Sequence, residues 1–193
     1  MEQPTACSAG FTHDVEHLRT VASIKAEGLP FDSATVESIN GAEYALLSRE
    51  VVKNLMPVEG INYMIGTALT GQAQLPAWFI APFSGNYTPV STVTAATFPT
   101  AATEATGYAE ATRQAWTPGA ISAGGVTNGL SVATFTINPA GAGLTLYGCA
   151  ISSVPTKSSV AGTLISCARF AAPKLVADTD IIRVTSPFAM TSV

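Results

Sequence analysis

Chemistry has few places to start in this chain. Its two histidines lie four residues apart, in His13-Asp14-Val15-Glu16-His17. That is the H-x-x-E-H pattern of inverted zinc proteases, in which a helix puts both histidines on one face and the glutamate serves as base. A hydrolase also needs a third ligand and a buried site, and no second helix offers a glutamate in a comparable context. We therefore read His13 and His17 as solvated residues of an acidic helix, and keep a zinc hydrolase built on His13, Glu16 and His17 as a remote alternative. Cys149 and Cys167 fall almost symmetrically about Lys157-Ser158, the expected tip of a hairpin, which would set them opposite each other. In a reducing compartment they would be small buried thiols, and no histidine lies near enough in sequence to activate them. Asp178 and Asp180 could in principle bind calcium or do acid–base work, but a lone D-x-D ahead of a strand is turn chemistry, in which Asp accepts local backbone N–H groups.

The remaining signals are structural. Thr127-Asn128-Gly129 marks a turn, and Gly124-Gly125 is too isolated to cradle a phosphate. Trp78, Trp116, Phe79, Phe83, Tyr87 and Phe135 read as core or interface aromatics. No catalytic, cofactor-binding or metal-ligating residue is assigned, no cofactor is expected, and the chain is not expected to be an enzyme.

Charge supports that reading. From Gly60 to Val193 there are five basic residues (Arg113, Lys157, Arg169, Lys174, Arg183), four acidic ones (Glu104, Glu110, Asp178, Asp180) and no histidine. Charged residues make up 11% of the 193-residue chain, less than half the usual share of about 25%. A surface this poor in Lys and Glu suits a protein that stays in contact with neighbours. A net charge of −4 without any basic run argues against gripping nucleic acid. No apolar stretch reaches the roughly 18 residues of a membrane span. Met1-Glu2-Gln3-Pro4 lacks a signal-peptide start, so manufacture and use without secretion are expected. Three cysteines do not suggest a disulfide framework.

The elements that would position these residues divide at about residue 56. In the first part Phe11, Val15, Leu18 and Ala22 recur at helical spacing, predicting a helix over 12–27 that ends at Gly28 and Pro30. Residues 30–42 read as loop, and a second helix is predicted over 43–54. Pro57 then opens a helix with Val58, Ile61, Ile65 and Leu69 on its buried side and Gly71 just past its end. From Leu75 the period changes to two. Strands are predicted at 77–83, 112–117, 131–138, 144–152, 163–171 and 181–191. The long Ala/Thr/Pro segment 92–111 shows neither period; Phe98 and Tyr108 place it against a surface, its own or a neighbour's, or make it an irregular edge strand. The expected fold is mainly β, an antiparallel sandwich or jelly roll over 57–193 with a partly helical extension over 1–56.

Several phrases in that order carry a resemblance: Glu59-Gly60-Ile61-Asn62-Tyr63-Met64, Trp78-Phe79-Ile80-Ala81-Pro82-Phe83, Gly85-Asn86-Tyr87-Thr88-Pro89, Ala95-Ala96-Thr97-Phe98-Pro99, Glu110-Ala111-Thr112-Arg113 and Ala168-Arg169-Phe170. Together they resemble small virion proteins encoded in the head gene modules of tailed bacteriophages, the capsid decoration or cement proteins. The resemblance covers about 57–193. It implies a β-sandwich that binds the outside of the capsid at subunit junctions, with the major capsid protein as partner, a dimer or trimer as the working form, and neither nucleic acid nor membrane as direct partner. The location it implies is the capsid surface of a virion, after synthesis in the host cytoplasm. On it, residues 1–56 would be an arm over neighbouring capsomers, and 92–111 a second contact region. A tail, fibre or head-surface adhesin subunit is the alternative role.

Overall fold

A computed structural model describes residues 7–192. The reading of Met1–Pro4 and the first six residues of the 1–56 segment lie outside them. The chain is mainly β, with two antiparallel sheets, one of them strongly curled, arranged as a sandwich. The elements are β1 (Cys7–Thr20), α1 (Val21–Ala26), β2 (Glu37–Ile39), β3 (Ala42–Lys53), α2 (Val58–Leu69), β4 (Trp78–Phe83), α3 (Phe98–Ala101), β5 (Gln114–Trp116), β6 (Gly125–Val126), β7 (Ala133–Thr136), β8 (Thr145–Ser152), β9 (Leu164–Leu175), β10 (Ile181–Thr185) and β11 (Phe188–Ser192). One sheet runs β2-β3-β1-β10-β7, with β11 on the first half of β1 and β6 on β11; the other runs β5-β4-β8-β9.

The two helices expected before residue 56 are corrected to strands. Residues 12–20 are the second half of β1, only Val21–Ala26 is helical, and 43–54 is almost wholly β3. β1 sits between β3 on one side and β10 and β11 on the other: Asp14–Leu18 pair with β10 and Cys7–Phe11 with β11. The segment expected as a partly helical extension thus contributes a central strand, joined by backbone hydrogen bonds to the C-terminal strands. The sequence misleads because the inward positions of β1 alternate apolar with polar residues: Phe11, His13, Val15, His17 and Arg19 are all buried. Hydrophobicity alone shows only Phe11, Val15 and Leu18, and Leu18, past a bulge after His17, packs in a separate cluster with Tyr44 and Ile181.

From α2 onward the expected elements are present with small changes of boundary. The strand expected over 181–191 is broken at Ser186-Pro187, since Pro187 has no N–H for a ladder. The main core lies between the sheets and includes Phe11, Val15, Ile80, Trp116, Phe135, Ile151, Phe170 and Ile182. A second core lies on the outer side of the four-stranded sheet. There Val93, Ala95, Phe98 and Ala102 cover Ala81, Phe83, Ala150, Leu164 and Cys167. Residues 93–102 of the long segment are therefore a third layer on that sheet, with Phe98 buried there, whereas Tyr108 is buried in the main core against Phe135.

Candidate functional site: buried polar clusters and an uncovered apolar face

The histidine motif lies on β1. On a strand, residues four apart share a face and a residue between them at odd spacing points the other way. His13 and His17 accordingly point into the sandwich and Glu16 points out, toward Arg49, whose Nε is 3.8 Å from Glu16 Oε1. The expected solvated helix is corrected on both counts: the histidines are on a strand and buried. Their partners separate them as well. Among the described residues, no three His, Cys, Asp or Glu side chains converge as a metal cluster.

His13 is fully buried and bridges the sheets. Its Nδ1 is 2.7 Å from Ser186 Oγ, at the β10–β11 break, and its Nε2 is 2.8 Å from Ser166 Oγ on β9. Ser166 Oγ also accepts from Asn54 Nδ2 at 3.0 Å, which leaves its own proton for the imidazole. The Ser186 backbone, deprived of a regular ladder, is held by side chains. Its N–H donates to Asn128 Oδ1 at 2.6 Å, and its carbonyl accepts from Trp116 Nε1 at 2.8 Å. Burial lowers the His13 pKa to about 4, so the ring is neutral near pH 7.

His17 belongs to a different cluster. Asp180, fully buried, accepts from or contacts four groups: His17 Nε2 at 2.7 Å, Arg19 Nε at 2.9 Å and Nη2 at 2.8 Å, and the Ala177 N–H at 2.8 Å. Burial alone would raise the Asp180 pKa; the bonds from His17, Arg19 and Ala177 outweigh it and hold the carboxyl below its ordinary value. The Ala177 contact is the turn role expected of Asp180, and Asp178 is exposed in the same turn. A third cluster pins the long loop. Arg113 donates to Glu104 through Nε at 2.9 Å and Nη2 at 2.6 Å, and to the Val154 carbonyl at 3.0 Å. Lys157 donates to the carbonyls of Thr106 and Tyr108 while sitting 3.5 Å over the Tyr108 ring. The Arg113–Glu104 pair and the buried Lys174–Glu50 contact at 2.7 Å were not found from the sequence. Isolated charges in an apolar run were the available signal, because a charge kept in such a run is usually a paired one.

Cys149 and Cys167 are free and buried, but they are not opposite each other. Cys149 pairs with Ala168 and Cys167 with Ala150, so a one-residue offset puts the thiols on opposite faces of the sheet, one in each core. Burial raises both thiol pKa values well above the ordinary range. Asn128 is buried and ties the turn to Val184 and Ser186. Of the aromatics singled out, Phe83, Trp116 and Phe135 are core, and Trp78 is half-buried edge-on to Tyr63.

The expected burial of α2 is inverted. Gly60, Tyr63 and Gly66 are buried, whereas Val58, Ile61, Ile65 and Leu69 are exposed. A Cβ on Gly60 would lie 2.7 Å from Ile165 Cα and 2.9 Å from the Leu164 carbonyl oxygen, so the helix backbone rests directly on β9. Large apolar side chains are exposed elsewhere too: Ile121 at 83% and Leu130 at 98% sit in neighbouring turns, joined where the Gly119 N–H donates to the Thr127 carbonyl. No protein-family model matches the chain, and no curated protein matches its sequence.

Proposed function

We propose that the chain is a structural subunit, a cement or decoration protein that binds the outside of a tailed-phage capsid and ties capsomers together through the major capsid protein, as a dimer or trimer. The observation that carries this reading is the distribution of polarity. His13, His17, Arg19, Glu104, Arg113, Lys174 and Asp180 are buried, and each cross-links strands or loops. Side chains that ordinarily form a core stand outside, with Leu130 and Ile121 the most exposed. Internal cross-links make a stiff body, and uncovered apolar groups give that body area to bury against another protein. The resemblance of 57–193 to head-module proteins supplies the shell as partner. The expected arm and the 92–111 contact region do not support it, since β1 and β3 are sheet strands and the apolar side chains of 92–111 are packed in the chain's own two cores.

The contact with the shell is assigned to the two turns that carry Ile121 and Leu130. Co-sedimentation of the purified chain with heads lacking it tests this. Wild type is expected to bind with little dependence on salt, because charge is sparse at those turns, and Ile121→Asp with Leu130→Asp is expected to weaken binding more than roughly tenfold. Binding that ignores both substitutions, or that disappears on raising salt alone, contradicts the assignment.

A further inference from the structure

One end of the sandwich carries a small ladder of its own. The first half of β1, Cys7–Phe11, pairs along its length with β11, and β11 pairs with β6 through Phe188–Val126 and Ala189–Gly125. The two longer strands of this flap join the body side by side. One joins at Thr12-His13 of β1, the other at Ser186-Pro187 between β10 and β11, and the Thr12 N–H donates to the Pro187 carbonyl between them. His13 stands at that junction. It ties the junction to the opposite sheet, with Ser186 Oγ on one ring nitrogen and Ser166 Oγ of β9 on the other. We propose that His13 is a proton-operated latch: the neutral ring holds the flap shut, and the protonated ring lets the flap lift as one piece while the rest of the sandwich stays folded. The latch does not depend on the capsid reading.

The hydrogen bonds give the reason. Asn54 Oδ1 accepts from the Phe11 N–H at 3.0 Å, which fixes Asn54 Nδ2 as the donor to Ser166 Oγ. Ser166 then donates to the ring, and the ring donates to Ser186. A neutral imidazole can serve both hydroxyls because it has one donor and one acceptor; an imidazolium has two donors. Protonation therefore strips the Ser166 hydroxyl of its acceptor and puts a charge in a fully buried site. Among the described residues no carboxylate bonds to the ring. Glu50, the inward charge of β3, pairs with Lys174 of β9 at 2.7 Å. His17, Arg19 and Asp180 bond to one another. Cys149 of β8 and Tyr63 of α2 share the core without bonding to His13, and β5, β10 and β11 turn Trp116, Val184 and Phe188 toward it.

A charged ring reaches water by releasing one of its two attachments. The β9 side is the firmer: that strand runs twelve residues, pairs with β8, and exchanges two backbone bonds with Leu55 through Cys167. The flap keeps its own ladder when it lifts. What gives way is a short seam, in which Phe11 and Asn54 exchange two bonds and Phe11 sits edge-on to Trp116 with ring centroids 5.5 Å apart. On its far side the flap has room, since Ala9 and Met190 line an open groove of about 480 Å³ before Ile61 and Ile65 of α2. Burial lowers the His13 pKa to about 4 in the closed form, whereas a solvated ring has its ordinary 6.5. Falling pH therefore favours the open form between those values, by up to roughly a hundredfold.

Amide hydrogen exchange of the full chain, followed by NMR and expressed against the unstructured rate at each pH, tests the latch. The N–H groups of Phe11 and Asn54, which bond across the seam, are expected to be less protected than that of Cys167. Their protection should fall more than roughly tenfold from pH 6.5 to pH 4 and ignore urea below the unfolding transition, because a local opening exposes little surface. His13→Gln, which keeps a donor and an acceptor but takes up no proton, should abolish the fall. The pH and urea readings need wild type alone, so they decide the matter even where His13→Gln does not fold. Seam amides as protected as Cys167 and equally sensitive to urea would mean that the flap opens only when the whole chain unfolds, and overturn the latch. So would protection that ignores pH, an equal fall in His13→Gln, or a fall confined to the Ala177 N–H that bonds to Asp180.

Discussion

His13 is held neutral between two serine hydroxyls, and that fixes how stability should depend on acid. The unfolded chain takes up a proton at this side chain near its ordinary pKa of 6.5, the folded chain at about 4. Stability from the neutral ring is therefore complete above pH 6.5 and is lost as pH falls toward 4, by up to about 3 kcal/mol. Asp180 adds to the loss below its ordinary value of 3.8, where its folded carboxylate resists protonation and the unfolded one does not. Urea denaturation at pH 7 and pH 4.5 should show the drop, and His13→Gln, which keeps a donor and an acceptor, should flatten it. An equal drop in the variant would place the titration elsewhere. Arg113 and Glu104 behave as a unit: Arg113→Met alone leaves a buried carboxylate and is expected to cost about 3–5 kcal/mol, while adding Glu104→Leu should recover much of it. The thiols give a third test. Cys149 and Cys167 lie in separate cores, so both should resist alkylation in native protein and react once it is unfolded, by mass spectrometry. A Cys149–Cys167 disulfide under mild oxidation would contradict the register of β8 and β9.

At the scale of elements, the helix that packs by its glycines is the clearest departure from ordinary amphipathic logic. Gly60 lets α2 touch β9 backbone to backbone, so Gly60→Ala must push the two apart and is expected to cost about 1–3 kcal/mol in thermal or urea unfolding. A neutral outcome would mean that α2 does not sit on β9. The same helix shows what the sequence could and could not reveal. Its ends were legible from Pro57 and Gly71, because caps are local chemistry. Its buried side was not, because the apolar stripe and the small-residue stripe are both plausible inner faces and only the partner element decides between them. β4, β8 and β9 were legible from alternation and turn residues. β1 was not, since His13, His17 and Arg19 occupy inward positions. β3 was not either: near Tyr44–Leu47 both of its faces are covered, by Leu18 and Ile181 on one side and by Val21 and Ile24 of α1 on the other. A strand covered on both faces loses its alternation and reads as a helix.

For the whole molecule, sparse charge, buried cross-links and exposed apolar side chains describe a rigid block that gains by being covered. The composition was readable from the first; the assignment of particular groups to inside and outside was not, because every one of the buried polar clusters joins residues far apart in sequence or hidden in an apolar run. Heating phage heads with and without the bound chain, and recording the temperature at which they rupture, tests the central claim most directly. The account predicts that heads lacking the chain assemble and break at lower temperature, and that adding the purified protein restores the higher value. Identical rupture temperatures with the chain present and absent would contradict it.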